Sequence, residues 1–537
     1  MITVAQAVVR CLEMEGVSVA FGYPGAAICP VYDAMSLSSI HHVLVREEQN
    51  AAHAASGYAR ISGKPGVCIA TSGPGALNLI TGIATAYADS IPMVIITGQV
   101  STELLGRDVF QEADITGAVE PFVKHSYLVK SPEEITRIMK EAFYIASSGR
   151  PGPVLVDIPV DVQRVKINFD YSFKPNIRGY KPTVVGHQGQ VKRMLSAIKA
   201  AKKPVVCAGG GVLSCQAQKE LQRFAETMNL PVVTTMMGLG AIRTEHPLNF
   251  GMLGMHGQRC ANMAVNESDL LVLVGARVGD RAVTTPGVLE KRTKIVHIDI
   301  DPAEIGKNVD VSIPIVGDVK TVLNQALEKA EFLDHSEWLE ELSAYRSAPK
   351  FGKGVSGFIN PREFIHKLSE KAPDDFIYVA DVGQNQIWSA SNCVIRNGRF
   401  LTSGGMGTMG YSVPAAVGAK MAGGDRIVLA VCGDGSFQMQ MMELATICQE
   451  QLNIKIIVMK NDRLGMVREL QKNNYAGNYI AVFLDGSPDF VKLASAYGIP
   501  SASISRPDEI DSAIETLLSS RGPFLLECVV SEDESSL

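Results

Sequence analysis

The sequence predicts an α/β protein built from three doubly wound parallel-sheet units. Three observations carry this. Short β-rich runs alternate with helical patterns along most of the 537 residues, the rhythm of parallel sheets with crossover helices. Two polar stretches bearing Pro and Gly interrupt the rhythm and read as linkers. A chain of this length also favours about three domains.

The first unit spans residues 1–165. Met1 to Arg10 reads as an amphipathic helix with Thr3 as its cap, not as a charged-apolar-cleavage signal. Strand runs follow around Val17–Phe21, His42–Val45, Gly66–Ala70, Pro92–Ile96 and Pro153–Ile158. Lys166 to Gly189, with Pro175 and Pro182, reads as the first linker. The second unit, 190–333, has strand runs at Pro204–Ala208, Pro231–Thr234, Leu270–Val274 and Lys294–Asp299. Glu337 to Asn360, with Pro349, Gly352, Gly354 and Gly357, reads as the second linker. The third unit, 361–530, has runs at Phe376–Ala380, Ile427–Val431, Ile454–Met459 and Phe524–Cys528. The similar rhythm raises the idea of three distant copies of one module.

Composition narrows the function classes. Hydrophobic residues make up 46% and charged residues 20%, enough for ample cores. The formal charge is −6 with no basic run, which points away from nucleic acid and anionic membrane surfaces. No apolar stretch approaches membrane-span length. Ten scattered cysteines without a C-x-x-C pair read as reduced core thiols of a cytoplasmic protein. The ten histidines form no zinc pattern.

The most informative segment lies in the third unit. Gly433, Asp434 and Gly435 follow one apolar run, and Asn461 follows the next after twenty-five intervening residues. Two buried parallel strands place Asp434 and Asn461 at neighbouring carboxyl ends, with a helix from Gln438 to Gln449 crossing between them. A carboxylate oxygen and an amide oxygen form a hard-ligand pair for Mg²⁺, which keeps positions for water, a backbone carbonyl and phosphate oxygens. Gly435 and Ser436 open the helix, where free N–H groups favour a diphosphate. In the first unit, Glu47 and Glu48 enter an Ala-rich helix, where carboxylates ordinarily stabilise the N-terminus.

The Gly433–Asn461 spacing resembles the diphosphate motif of thiamin-diphosphate (ThDP) enzymes. Further strings resemble the acetolactate synthase (acetohydroxyacid synthase) large-subunit family along nearly the whole chain. They include Gly22–Gly25, Arg46–Gln49, Ala70–Gly75, Asp89–Pro92, Ser148–Val154, Gly251–Gly257 and His297–Asn308. The resemblance implies three units: pyrimidine-binding, central FAD-binding and diphosphate-binding. It implies decarboxylation of pyruvate and condensation with a second 2-keto acid, in branched-chain amino-acid biosynthesis. Another ThDP-dependent 2-keto acid decarboxylase or lyase of the same fold is the alternative.

The resemblance also assigns residues. Glu48 aligns with the glutamate that serves the aminopyrimidine ring, where a desolvated carboxylate suits proton exchange with a ring nitrogen. Phe110 and Gln111 align beside the substrate, and Arg281 with the arginine that receives the second keto acid's carboxylate. Gly407 and Met409 lie in the loop that wedges ThDP, a packing role that suits a flexible apolar side chain. Val382, Gly383 and Gln384 align with diphosphate contacts. Asp434 and Asn461 are implied as Mg²⁺ ligands, with a backbone carbonyl near Arg463 as the third. Gly209, Gly210, Gly211, Gly254, Met255, His256, Gly275, Arg277, Asp299, Ile300 and Asp318, with Arg150 from the first unit, resemble the family's site for a structural, non-redox FAD. The implied partners are small 2-keto acids, a second copy in a homodimer or tetramer with sites between chains, and in some members a small regulatory subunit.

Four departures fall along the implied substrate channel. Leu470 stands where the family usually has a tryptophan that favours 2-ketobutyrate. Val160 stands for a lysine, and Gly279-Asp280 for two aspartates. The chain ends in the acidic stretch Ser531–Leu537 instead of a longer tail over the site.

Overall fold

The computed structural model describes residues 1–283, 286–346 and 351–536. Pro349 of the second linker and Leu537 of the acidic tail lie outside the described residues. Three six-stranded parallel sheets organise the chain.

The first sheet holds β1 (Val19–Tyr23), β2 (His41–Leu44), β3 (Gly66–Ala70), β4 (Met93–Gln99), β5 (His125–Leu128) and β6 (Pro153–Pro159). Their spatial order is β2-β1-β3-β4-β6-β5. The middle sheet holds β7 (Pro204–Ala208), β8 (Val232–Thr234), β9 (Asn249–Met252), β10 (Leu270–Val274), β11 (Lys294–Asp299) and β12 (Ile313–Val316), ordered β9-β8-β7-β10-β11-β12. The third holds β13 (Ile377–Ala380), β14 (Arg399–Leu401), β15 (Val428–Gly433), β16 (Ile454–Lys460), β17 (Ser501–Ile504) and β18 (Phe524–Val529), ordered β14-β13-β15-β16-β18-β17. The first and third sheets therefore share one strand order. The middle sheet has the order of dinucleotide-binding folds, so the three units are not copies of a single module.

Strands buried on both faces explain the continuous apolar runs. β4, β6 and β10 are buried at every position. The first and third units also share a core, through the helices Glu48–Ser62 and Ser412–Gly423. A Cβ at Gly57 would lie 2.0 Å from the Ala415 carbonyl oxygen, and one at Gly418 would lie 1.7 Å from that of Ala54. Glycine and the neighbouring alanines let these helix backbones nearly touch.

Several local expectations hold and several need correction. Thr3 caps the helix Val4–Met14 in a capping box with Gln6. The crossover after β15 starts earlier than Gln438, as a helix at Asp434–Gln440, and passes through a 3₁₀ turn into a second helix, Leu444–Gln449. The stretch read as the second linker begins as a helix, Ser336–Ser343. Trp338 and Leu342 bury its inner face against the middle unit, and Trp338 Nε1 donates to the Pro204 carbonyl at 3.1 Å. In the first linker, Lys166–Ile167 pairs antiparallel with Ile2–Thr3.

Candidate active site

In the third sheet the connections leave in opposite directions from β13 and β15, which lie side by side. The crevice beyond the carboxyl ends at such a reversal is where open α/β sheets bind ligands. Asp381, Val382, Gly383 and Gln384 follow β13, and Asp434, Gly435 and Ser436 follow β15.

Asp434 and Asn461 come together as the spacing predicts. β15 and β16 pair in parallel up to Gly433 and Met459. The Asp434 carboxylate ties the strand ends: Oδ1 accepts the Gly435 N–H at 2.9 Å, and Oδ2 accepts the Asn461 N–H at 3.0 Å and that of Asp462. Burial pushes its pKa up to about 6, against the lowering effect of these hydrogen bonds. Asn461 Oδ1 accepts the Arg463 N–H at 3.1 Å, and Asn461 Nδ2 approaches Gln384 Oε1 at 3.5 Å. A buried carboxylate and an amide oxygen at neighbouring strand ends form an oxygen donor pair, the chemistry that suits Mg²⁺ carrying a diphosphate.

Met409 reaches the same crevice. A Cβ on Gly435 would stand 3.7 Å from Met409 Cε, so the thioether end lies over the Asp434–Gly435 turn. Gly407 occupies the exposed part of this loop, two residues before Met409.

Sequence reasoning missed Asp381, which is 1% exposed. Its carboxylate accepts N–H groups from Val382 (2.9 Å), Gly410 (2.9 Å) and Ser412 (2.8 Å), linking the Gly383 turn to the Met409 loop. Burial raises its pKa. Its position at a strand end before Val382-Gly383 was the available signal. The acidic tail also reaches this crevice. Arg463 Nε pairs with Glu532 at 2.7 Å, Arg468 with Asp533 at 3.1 Å, and Gln384 Nε2 donates to the Glu534 carbonyl at 2.8 Å.

The first unit builds a second cluster. Glu48 opens its helix and accepts Asn78 Nδ2 at 3.0 Å. A Cβ on Gly75 would lie 3.1 Å from Glu48 Oε1. Gln111 packs its backbone against Gly73 in the same turn, and Phe110 is 87% exposed beside it. Glu443, also missed, fixes this edge. Its buried carboxylate accepts the Arg46 N–H at 2.7 Å and Asn50 Nδ2 at 2.8 Å. Among the described residues no hydrogen bond joins Glu48 to Asp434 or Asn461.

Arg281 stands apart on the middle unit. Its side chain is exposed, with Nη1 3.5 Å from Met255 Sδ and Nε 3.7 Å from Asp280. Burial and the Arg281 charge depress the neighbouring His256, with Glu469 opposing. Arg281, His256 and Glu469 therefore share one electrostatic neighbourhood, and Glu469 accepts Gln384 Nε2 at 3.1 Å.

The implied FAD residues gather at the carboxyl edge of the middle sheet, around the reversal between β7 and β10. Gly209, Gly210 and Gly211 follow β7, Gly275 and Arg277 follow β10, and Ile300 follows Asp299 of β11. Among the described residues, buried atoms there lack a hydrogen-bond partner: Thr234 Oγ1, His256 Nδ1 and the His297 ring nitrogens, of which Nε2 lies 3.8 Å from Asp299. Such orphans fit a polar ligand. Other features have structural explanations. Gly211 gives its N–H to the Gly275 carbonyl at 2.9 Å. Asp318 caps the helix Val319–Leu327. Arg150 is paired with Glu304 at 2.7 Å and Asp301 at 3.4 Å. Burial raises Asp299 to about 6.

Comparison with known proteins agrees with the three-unit fold. Family models for the thiamine pyrophosphate enzyme N-terminal TPP binding domain, central domain and C-terminal TPP binding domain match residues 2–118, 191–326 and 381–528. Fold and matches define a thiamin-diphosphate enzyme. A probable acetolactate synthase large subunit of Methanocaldococcus jannaschii is 45% identical over 99% of this chain and 92% of its own length. The acetolactate synthase large subunit of Corynebacterium glutamicum is 45% identical over 99% and 87%. The acetolactate synthase isozyme 2 large subunit of Escherichia coli is 44% identical over 99% and 96%. The chain belongs to the acetolactate synthase large-subunit family.

Proposed function

We propose that this chain makes acetolactate: it decarboxylates pyruvate and joins the two-carbon unit to a second 2-keto acid, pyruvate or 2-ketobutyrate. The observation that carries this is the convergence of Asp434, Asn461, Gln384 and Met409 on one switch-point crevice in a chain of this family. ThDP, when bound, supplies the nucleophilic carbon and the electron sink. Asp434 and Asn461 would hold Mg²⁺, with the carbonyl near Arg463, and Gly383, Gly433, Gly435 and Ser436 would hold the diphosphate. Glu48 would carry the proton exchanged with the aminopyrimidine nitrogen. Arg281 would receive the second keto acid's carboxylate, and Phe110 and Gln111 would shield and orient the donor. FAD, held at the middle sheet's edge, would have a structural part because the net reaction is redox-neutral.

The site is proposed to lie between two chains. Glu48 and Asp434 belong to clusters without a shared hydrogen bond among the described residues. Exposed apolar side chains border both: Leu77 and Phe110 on the first unit, Met406, Met439 and Met442 on the third. Large exposed apolar side chains beside a site suit burial against a second chain. A small regulatory subunit is a proposed further partner because the relatives are named large subunits. A reducing, cytoplasmic location is proposed from the ten free cysteines; no described helix is long and apolar enough to cross a membrane. The test is purification without cofactors, then a pyruvate assay with ThDP, Mg²⁺ and FAD added singly and together. Acetolactate requiring ThDP and Mg²⁺ supports the proposal. Acetaldehyde as the sole product sinks it.

A further inference from the structure

Residues 402–411, between β14 and the Ser412–Gly423 helix, carry Met409, and the first unit of the same chain grips them. Asp89, 8% exposed at the end of the helix Ile80–Ala88, makes the main contact. Its Oδ1 accepts the Gly405 N–H at 2.7 Å and its Oδ2 the Gly404 N–H at 3.3 Å. Oδ2 also accepts Arg60 Nη2 at 2.6 Å, and Arg60 Nη1 donates to the Thr402 carbonyl at 2.8 Å. One turn before Asp89, Thr85 Oγ1 meets Thr408 Oγ1 at 2.7 Å. A Cβ on Gly405 would lie 2.8 Å from the Ala88 carbonyl oxygen, so glycine lets the loop backbone press against the helix end.

These contacts bracket Met409. Thr408, just before it, is held by Thr85. Gly410, just after it, is held by Asp381 at 2.9 Å. Met409 has only a weakly accepting sulfur to fix its own direction, so the anchored backbone on either side sets where the thioether points. Charge balance with Arg60 accounts for one bond of Asp89. It does not account for the two consecutive loop N–H groups on the same carboxylate.

We propose that Asp89, with Thr85, is a positioning residue for Met409, aiming the apolar wedge at the thiamin moiety held by the third unit of its own chain. This rests on Met409 being a ThDP contact. One first unit then serves two sites of a dimer, through Glu48 at one and Asp89 at the other.

The test is calorimetric affinity for ThDP and, separately, for inorganic pyrophosphate, both with Mg²⁺. Pyrophosphate engages the diphosphate and metal residues but lacks the rings that Met409 would support. The proteins are the wild type, Met409→Ala, Asp89→Asn, Thr85→Val, and each of the last two combined with Met409→Ala. Met409→Ala and Asp89→Asn should each weaken ThDP by roughly tenfold or more, and Thr85→Val by about fivefold, with pyrophosphate unchanged. Each double variant should lose no more than Met409→Ala alone, because coupled residues are non-additive. Additive losses overturn the inference. So does normal ThDP affinity in Asp89→Asn and Thr85→Val while Met409→Ala is impaired, and so does a parallel loss of pyrophosphate binding. Normal ThDP affinity in Met409→Ala overturns the reading of Met409 itself. Where Asp89→Asn yields no folded protein, the Thr85→Val cycle decides by the same criteria.

Discussion

Metal binding should report the unusual environment of Asp434. The perturbation is pH. Burial lifts this carboxyl from an ordinary value of 3.8 to about 6. Only the ionised form can ligate Mg²⁺, so affinity is fully present above about 6 and is lost as pH falls through that value. With a pKa of about 6, the ionised fraction drops from roughly nine-tenths at pH 7 to roughly one-tenth at pH 5, a tenfold loss of affinity. An unperturbed aspartate would lose almost nothing over that range. The assay is a Mn²⁺ titration without diphosphate, followed by electron paramagnetic resonance from pH 4.5 to 7.5. Repeating it with ThDP should move the inflection upward, because the diphosphate's negative charge beside Asp434 further disfavours the ionised carboxylate. A flat profile between pH 5 and 7 would refute the argument that burial outweighs the three N–H bonds.

Glu48→Gln should bind ThDP normally but lose about 10²–10⁴ in turnover, read by calorimetry and steady-state kinetics; near-normal activity would move the role to Glu47. Leu470 is 52% exposed on the helix Gly465–Asn474. Leu470→Trp should raise the acetohydroxybutyrate-to-acetolactate ratio in a competition assay by up to about 1–3 kcal/mol of discrimination, the worth of one methylene in an apolar pocket. An unchanged ratio would place position 470 outside the channel. Gly418→Ala would put a methyl against the Ala54 carbonyl and should cost about 1–3 kcal/mol or more of stability in denaturant melts; a neutral result would mean that the helices slide apart cheaply.

The sequence carried the metal pair because its geometry is local in topology. Two apolar runs joined by one crossover must lie side by side, and their ends carry Asp434 and Asn461. Met409 and Glu48 were legible only through family resemblance, since an exposed Gly-rich loop and a helix-start acid have ordinary explanations. Asp381 and Glu443 escaped, and Asp89 entered only as part of a family-like string, because they act on backbone N–H groups of distant segments, which no side-chain pattern announces. The helix Ser336–Ser343 read as a linker because only Trp338 and Leu342 are buried in it, too few for a period to show. Strand order, which separates the middle sheet from the outer two, depends on where each crossover lands and leaves no local trace. The acidic tail looked loose because its partners, Arg463 and Arg468, lie more than sixty residues earlier.

The central claim is that Glu48 of one chain works with Asp434 of another. Co-expressing Glu48→Gln chains with Asp434→Ala chains, each inactive alone, tests it directly. Random pairing makes half the dimers hybrids, each with one intact site, so activity should return to about one quarter of wild type. Both chains purified together with no activity, under conditions where the wild type turns over, would contradict the account and place Glu48 and Asp434 in one chain's site.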